Sequence, residues 1–519
     1  MVASIESSGK AIARSWQRGG RGQRRLVLVA GVLGAAVALA LALSACTSAQ
    51  PSGSAAAGGG QPAGPPGMSC AWPTELNVQS DNSAVPNSVS VDSAEAVWFQ
   101  PIVAAAGTRI VVSGRFPDAR YASFSVYTPS GGFAASQAAT SLPDYRIAPQ
   151  SGSVNPWQRE GAPGGRFTLT IRPDPAPGQA NTLLLPVGTT SRYPGYLVYR
   201  VYLPAGANFS AVPVPVLTVE QGSAARTIPA CPQHDSDLPV LHGAAGTAGT
   251  PAATPRPAAV PPQLEFYALP ESKMSNEGVG NADTAYAVAY LIRPPAPDVV
   301  VVTGKAPTFA PGSHPSPWPA PGEDVRYWSM CILAGTAKLP TIANKLPGGG
   351  PDYGCRADEA TRLNAAGDYT YVIGSESQRA AISGVPGVTF LPFATVQPTG
   401  LYVLMLRNML VSVSFAHSTE RVTQPGDPGA AAAVMGPYYP HAAVCPLATL
   451  VAKGPQACQG RERQRPFGGL FLCAAPRPER DRNGPHRAGC AGAAVGPGGA
   501  CGHPGQSSDQ GFRRAHGCV

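Results

Sequence analysis

The chain has 519 residues, 44% of them hydrophobic and 13% charged, with 38 Lys and Arg against 30 Asp and Glu for a formal charge of +8. That excess sits at the ends: residues 1–45 and 461–519 each carry +5, which leaves −2 for residues 46–460. A nucleic-acid partner needs a clustered basic face that displaces counterions. The body offers none, so no nucleic acid is expected as a partner.

At the N-terminus, Arg18, Arg21, Arg24 and Arg25 precede an uncharged run from Leu26 to Ala45. Twenty residues rising about 1.5 Å each reach about 30 Å, enough for a bilayer's hydrocarbon core. Basic residues before such a run keep the N-terminus in the cytoplasm and export the chain beyond it. The run closes on Leu43-Ser44-Ala45-Cys46, which resembles a bacterial lipobox, where a peptidase cleaves before a Cys whose thiol carries diacylglycerol. The alternative is an uncleaved anchor, favoured by the long segment before the run. Residues 1–46 are therefore read as a lipoprotein signal or membrane anchor that meets lipid through residues 26–46. The folded part is expected on the extracytoplasmic side of a bacterial cell membrane. Residues 47–69, rich in Gly, Pro and Ser without apolar periodicity, read as a disordered tether.

Two β-rich segments come next, at 70–240 and 263–459, separated at 241–262 by an Ala/Gly/Thr/Pro-rich linker too polar to repay its own ordering. Each segment holds short runs of Val, Ile, Tyr, Phe and Thr bounded by Gly and Pro, the pattern of strands. The runs repeat in order. Thr108 to Gly114 matches Asp298 to Gly304, and Arg120-Tyr121 matches Arg326-Tyr327 across a Pro-rich insert from Thr308 to Asp324. Arg166 to Ile171 matches Asp368 to Ile373, Asn181 to Val187 matches Val388 to Phe393, and Gly195 to Pro204 matches Leu401 to Leu410. Arg120 and Arg200 lie 80 residues apart, Arg326 and Arg407 lie 81.

Within Arg120 to Tyr127, residues Tyr121, Ser123, Ser125 and Tyr127 alternate with Ala122, Phe124 and Val126. In the run from Gly195, residues Tyr196, Val198, Arg200 and Tyr202 alternate with Leu197, Tyr199, Val201 and Leu203. Period two with mixed faces predicts antiparallel strands, one face on a core and the other partly wet. Helical patterns are confined to Ala357–Ala366 and Gly426–Gly436. The expected fold is mostly β: two duplicated antiparallel β-sandwich, jelly-roll-like domains with few helices. Residues 460–519, with four cysteines at no metal-binding spacing, read as a disordered basic tail.

The body has six cysteines: Cys70, Cys231, Cys331, Cys355, Cys445 and Cys458. An even set in an exported chain reads as disulfides. Short separations favour Cys331–Cys355 and Cys445–Cys458, leaving Cys70–Cys231 to clasp the first segment; free buried thiols are the alternative. No Cys-x-x-Cys pair in the body supports redox cycling.

Asn281-Ala282-Asp283-Thr284-Ala285-Tyr286, with Leu185-Pro186 followed by Tyr196-Leu197-Val198-Tyr199-Arg200-Val201-Tyr202-Leu203-Pro204, resembles the paired domains of unknown function found together in many bacterial exported and envelope proteins. The second segment keeps Leu391-Pro392 and Arg407 but ends in Val411 instead of Pro, and the first has Asp92-Ser93-Ala94-Glu95 where the Asn-x-Asp-Thr run would stand. The resemblance implies a β-rich fold and an envelope location, and transfers no catalytic residue.

Arg120, Arg200, Arg326 and Arg407 stand in or beside apolar strands, where a guanidinium must reach water along its stem or find an acceptor. One reading gives each a salt bridge in its own sandwich, with Asp118, Asp144, Asp283 or Asp324. The other points them into a cleft, to hold an anionic or sugar-like ligand by forked hydrogen bonds. Aromatics near Trp98, Tyr121 and Tyr127, and near Tyr286, Tyr327 and Trp328, fit a core better than a binding surface. Tyr438 and Tyr439, with His441, form a candidate loop platform.

Nucleophile-elbow, zinc-protease, P-loop and dinucleotide signatures are absent. His417 with Ser414 or Ser418 and Asp427 is the only triad worth naming, and Glu160, Asp174, Glu323 and Asp368 have no distinguishing context. No metal or cofactor is expected. The expected role is a tethered protein that binds a small or saccharide-like ligand or a cell-envelope partner, or acts structurally; the alternative is a cell-wall or carbohydrate-directed hydrolase. If Cys46 is acylated, intact-mass analysis of the membrane-extracted protein will show a chain starting at Cys46 with added diacylglycerol. A mass that includes residues 1–45 supports the uncleaved anchor instead.

Overall fold

A computed structural model describes residues 70–77, 91–103, 105, 107–128, 137–161, 164–176, 178–185, 195–232, 264–270, 280–335, 339–395 and 400–459. The expected anchor with Cys46, tether, linker and tail lie outside these residues. No helix among the described residues is long and apolar enough to cross a membrane.

The fold is predominantly β-sheet. The first segment contains β1 (Thr74–Asn77), β2 (Glu95–Ile102), β3 (Thr108–Arg115), β4 (Ala119–Thr128), β5 (Gln137–Pro143), β6 (Arg166–Arg172), β7 (Thr182–Leu184), β8 (Gly195–Pro204), β9 (Val216–Gln221) and β10 (Ala224–Ile228). They form two sheets, ordered β1-β2-β8-β4-β5 and β10-β9-β3-β6-β7. The second segment contains β11 (Tyr267–Ala268), β12 (Thr284–Ile292), β13 (Asp298–Lys305), β14 (Val325–Ala334), β15 (Ala343–Lys345), β16 (Pro351–Tyr353), β17 (Cys355–Ala357), β18 (Asp368–Gly374), β19 (Val388–Pro392), β20 (Leu401–Val411) and β21 (His441–Pro446). Its main sheets run β11-β12-β20-β14-β17 and β19-β18-β13-β21, with β15-β16 as a separate pair. The pairings are antiparallel apart from β6 with β7 and β18 with β19.

Each pair of main sheets encloses its own core. In the first, Phe124 stacks on Tyr199 at 4.7 Å between ring centroids, and Phe167, Leu169 and Val112 come from the facing sheet. In the second, Trp328 packs on Tyr369 at 5.5 Å, with Val300, Val302 and Leu404 around them. The glycine that ends each β-branched run has a steric cause. Gly114 lies opposite Phe167 and Gly304 opposite Tyr369 in the strand register. A Cβ at Gly114 would meet the Phe167 ring at 2.8 Å, and one at Gly304 would meet the Tyr369 hydroxyl at 2.5 Å.

Three disulfides are present: Cys70–Cys231, Cys331–Cys355 and Cys445–Cys458. The last staples β21 to helix α4 (Gln456–Gln459); α4, α3 (Leu447–Lys453) and α1 (Arg379–Ser383) cover Val299, Val301 and Val372. Helix α2 (Pro428–Met435) lies in the Gly426–Gly436 pattern. Ala357–Ala366 forms no α-helix. It is the end of β17, a short 3-10 turn at Asp358–Ala360, and a bridge at Leu363.

The expectation of a partly wet outer face fails at the centre. Strands β2, β14 and the described part of β4 are buried at every position, and β8 and β20 at nearly every one. The outward faces of the two halves meet: Tyr121 and Tyr202 pack against Tyr327 and Met409, with Tyr202 and Tyr327 at 5.2 Å. Two buried charges are exchanged across this seam. Arg120 Nη1 donates to both Asp358 oxygens at 2.7 Å, and Arg326 Nη1 lies 3.5 Å from Asp144 and donates to the Arg120 carbonyl at 2.9 Å. The Pro-rich insert adds a clasp, because Gly312 O accepts from Arg120 Nε at 2.6 Å and Trp318 N donates to Trp157 O at 2.9 Å.

Burial raises Asp144 from 3.8 to about 7 against the pull of Arg326, and raises Asp358 to about 6 against Arg120. A folded-state pKa above the unfolded value means the folded chain binds more protons between the two. The contribution of these groups is therefore complete below about pH 4 and declines as pH rises to about 7. Denaturant unfolding at a series of pH values should show that decline, and Asp144→Asn should flatten it. An unchanged slope in Asp144→Asn would show that Asp144 is ordinary.

Candidate functional site

Two corners of the seam have matching backbone registers and different side chains. Arg200 on β8 opposes Val97 and Ser123, as Arg407 on β20 opposes Tyr286 and Ser329. Glu95 N donates to Asp92 O as Thr284 N does to Asn281 O, and Leu203 N donates to Ala94 O as Leu410 N does to Asp283 O. Asp92, Ala94 and Glu95 thus hold the places of Asn281, Asp283 and Thr284.

The corner at Asp92 is filled. Its Oδ2 accepts from Ser329 at 2.6 Å and from Arg407 at 3.2 Å, and its Oδ1 accepts from Ala94 N at 3.1 Å. Thr341 seals the approach by donating to Val91 O at 2.6 Å.

The corner at Asn281 is underfilled. Arg200 turns to Glu95 of its own half at 3.2 Å and to Gly280 O at 3.4 Å. Asn281 Oδ1 accepts from Tyr121 at 3.2 Å and from Asp283 N at 3.0 Å. Its Nδ2, Thr284 Oγ1 and Ser123 Oγ are buried with no partner among the described residues. Asp283 Oδ2 accepts from Tyr121 at 2.8 Å and Ser141 at 3.1 Å, while no described residue donates to its Oδ1. Burial pushes the Asp283 carboxyl up, against those hydroxyls and the Arg200 charge. Buried polar atoms are ordinarily satisfied; other exceptions occur among the described residues, Arg326 Nε and Nη2 and the Tyr327 hydroxyl of the same seam among them, and this corner has three beside a groove.

The corner opens on a groove of about 950 Å³ between the two halves. β5 supplies Thr140 and Ser141, the turn after it Tyr145 and Arg146, and residues 280–286 line another wall. Leu269, Pro270, Leu410 and Val422 provide apolar surface, and Glu420 a second carboxylate. Each of four groove aromatics lies under a guanidinium: Tyr127 under Arg200 at 5.6 Å, Tyr145 under Arg146 at 5.4 Å, Trp318 under Arg326 at 5.1 Å, and Tyr286 under Arg407 at 5.9 Å. Such contacts hold rings electrostatically.

The structure places Arg120, Arg200, Arg326 and Arg407 together in the seam, behind the groove and not on its surface. Their acids differ from those anticipated: Asp358 and Glu359 for Arg120, Glu95 for Arg200 and Asp92 for Arg407, while Asp144 meets Arg326 from the opposite half. Tyr438 stands elsewhere, against Phe415 at 4.9 Å and stacked on His417 at 5.7 Å. Tyr439 is buried, its hydroxyl bonded to Phe266 N and O at 2.9 Å. No triad forms around His417: its Nδ1 meets the Val434 carbonyl at 2.9 Å, while Asp427 caps α2 through Gly429 N. Asp92, Cys331 and Cys355 cluster closely, but those sulfurs are joined in a disulfide and are not thiolate ligands.

Sequence reasoning passed over Ser141, Tyr145, Arg146 and Trp318, quoted Asn281 without giving it a role, and offered Asp283 only as a salt-bridge partner for an arginine. The available signal was the contrast between Asn281-Ala282-Asp283-Thr284 and Asp92-Ser93-Ala94-Glu95.

No protein-family profile and no curated protein matches the chain. Among solved structures, an uncharacterised protein from Burkholderia cenocepacia is similar at 15% identity and a TM-score of 0.42, over 70% of this chain and 79% of that one. The VPA0106 protein from Vibrio parahaemolyticus is similar at 13% identity and a TM-score of 0.33, over 65% and 89%. Likeness at these scores carries no argument about this chain.

The two corners should respond differently to substitution. Thr284→Val replaces an unpartnered buried hydroxyl and should be neutral or stabilising by up to about 1 kcal/mol. Asp92→Ala deletes the carboxylate that pairs with Arg407 at 3.2 Å and should cost roughly 3–5 kcal/mol. Equal losses for both in urea unfolding would mean that the corners are equally satisfied.

Proposed function

We propose that the chain is a membrane-tethered extracytoplasmic protein that binds a small polar ligand in the groove beside Asn281–Tyr286. The observation that carries this reading is the contrast between the corners: at equivalent backbone positions, one is closed by Ser329 and Arg407 and the other leaves buried polar groups unpaired beside a groove. The groove's size, about 950 Å³, falls in the range of small-molecule sites, and its lining is about as polar as apolar. Three disulfides suit an exported body, in keeping with anchoring through residues 26–46 and Cys46.

The proposal includes an internal duplication of one sandwich module. Its support is the shared central order, β2-β8-β4 in the first half and β12-β20-β14 in the second, and the matched registers around Arg200 and Arg407.

A thermal-shift screen of the purified protein against a chemically diverse fragment library tests the binding reading. Ligands that raise Tm should lose their effect in Asn281→Leu and in Asp283→Leu. A screen without hits, or hits indifferent to both substitutions, would remove the groove as the site.

A further inference from the structure

We infer that Arg115 and Arg166 form a contact site for the headgroup phosphates of an anionic membrane, against which the first half rests by one end of its outer sheet. This goes beyond the groove and rests on the membrane-tethering part of the reading above. Both arginines lie on the outer face of β3 and β6, since Val112 and Phe167 of the same strands enter the core. On that face Arg109 pairs with Glu220 and Arg172 with Asp174. Arg115 and Arg166 are exposed and stand directly opposite each other in the register, and no described carboxylate forms an ion pair with either. Like charges opposed in this way repel. At the matching positions of the second half the register sets Lys305 against Asp368, a cation against an acid. One half keeps complementary charges there, and the other keeps two cations. Two guanidiniums about 5 Å apart at Cβ offer forked donors to the oxygens of one phosphate.

The place where the chain enters the body selects the source of that phosphate. Cys70 is bonded to Cys231, and two residues on, Trp72 Nε1 donates to Pro215 O at 2.7 Å. Pro215 packs beside Gly114, where an added Cβ would meet its Cβ at 3.2 Å. The chain therefore enters at the end of the sheet that carries Arg115 and Arg166. The 23 residues from 47 to 69 span at most about 80 Å, which keeps this end within reach of a membrane held at residues 26–46. Confinement raises the effective concentration of headgroups, so a contact too weak to recruit a free protein can still orient a tethered one. The corresponding face of the second half is covered by α1, α3 and α4 over Val299, Val301 and Val372.

The test reconstitutes the full chain with vesicles of phosphatidylcholine alone, or with about one third phosphatidylglycerol, and recovers it by flotation. Its arginines are then modified with phenylglyoxal and mapped by mass spectrometry. Modification of Arg115 and Arg166 should slow about fivefold in the anionic vesicles, the gain expected for an arginine at such a surface, and recover in about 0.5 M NaCl. The exposed Arg362 of the second half should react alike in both. Arg166→Asp, which supplies the charge found at the matching position 368, should keep or raise Tm and abolish the slowing at Arg115. Arg115→Gln, read at Arg166, repeats the test from the other strand. Equal rates in the two vesicles, or slowing that survives both substitutions, would overturn the inference. Slowing by inorganic phosphate in neutral vesicles, with none from phosphatidylglycerol, would overturn it in favour of a soluble phosphorylated ligand. A chain that floats with neither vesicle removes the tethering reading and this inference together. One that floats only with the anionic vesicles, and loses this in Arg166→Asp, removes the tether and keeps the docking face.

Discussion

The structure depends on a guanidinium that cannot be satisfied within its own half. Arg120 is 1% exposed in a strand whose neighbours are apolar or aromatic, and its carboxylate, Asp358, belongs to the other half. Arg326 reaches back across the same seam to Asp144. Deleting either carboxylate while the halves stay together would strand a buried cation, a cost of roughly 3–5 kcal/mol. An apolar seam of equal area would hold more strongly for its burial. It would also tolerate sliding, because hydrophobic contact is non-directional. Forked charge pairs do not. On this reading the exchange serves registration more than adhesion.

Registration matters because the groove is made by the seam. Its walls come from both halves, so a slip of one strand position would move Ser141 away from Asp283 and Tyr121 away from Asn281. The guanidinium-over-ring contacts extend the same constraint outward. Arg200, Arg326 and Arg407 each touch a seam acid on one side and a groove aromatic on the other. The arginines thus act on the groove at one remove: they fix the rings that shape it.

Much of this was legible in the chain. The alternation in Arg120 to Tyr127 correctly separated Ala122, Phe124 and Val126, which enter the first core, from Tyr121 and Tyr127, which point to the seam. Period two reports faces, and faces are local. What a face meets is not local. Nothing in the spacing of Arg120 says that its acceptor lies 238 residues later, at Asp358. The same limit explains Ala357–Ala366, whose Ala and Glu content suits a helix. Asp358 is instead held by Arg120 and by Trp328 N, and a tertiary ion pair overrides helix propensity there. Asn281 and Asp283 were visible as a motif, but their meaning required the filled corner as a reference.

That reference also shows what the underfilled corner lacks. One substitution, Asn281→Asp, would restore the acid that stands at the equivalent position 92, and Thr284→Val would remove an orphan hydroxyl altogether. Either change lies within easy reach of the chain's own chemistry, since the first half already carries Asp92 and Glu95 there. An unpaired buried donor costs about 1–3 kcal/mol, a considerable share of the stability of an ordinary domain. A cost that the matching corner relieves and this one does not is what sets the two corners apart, and that contrast is the support for the binding role proposed above.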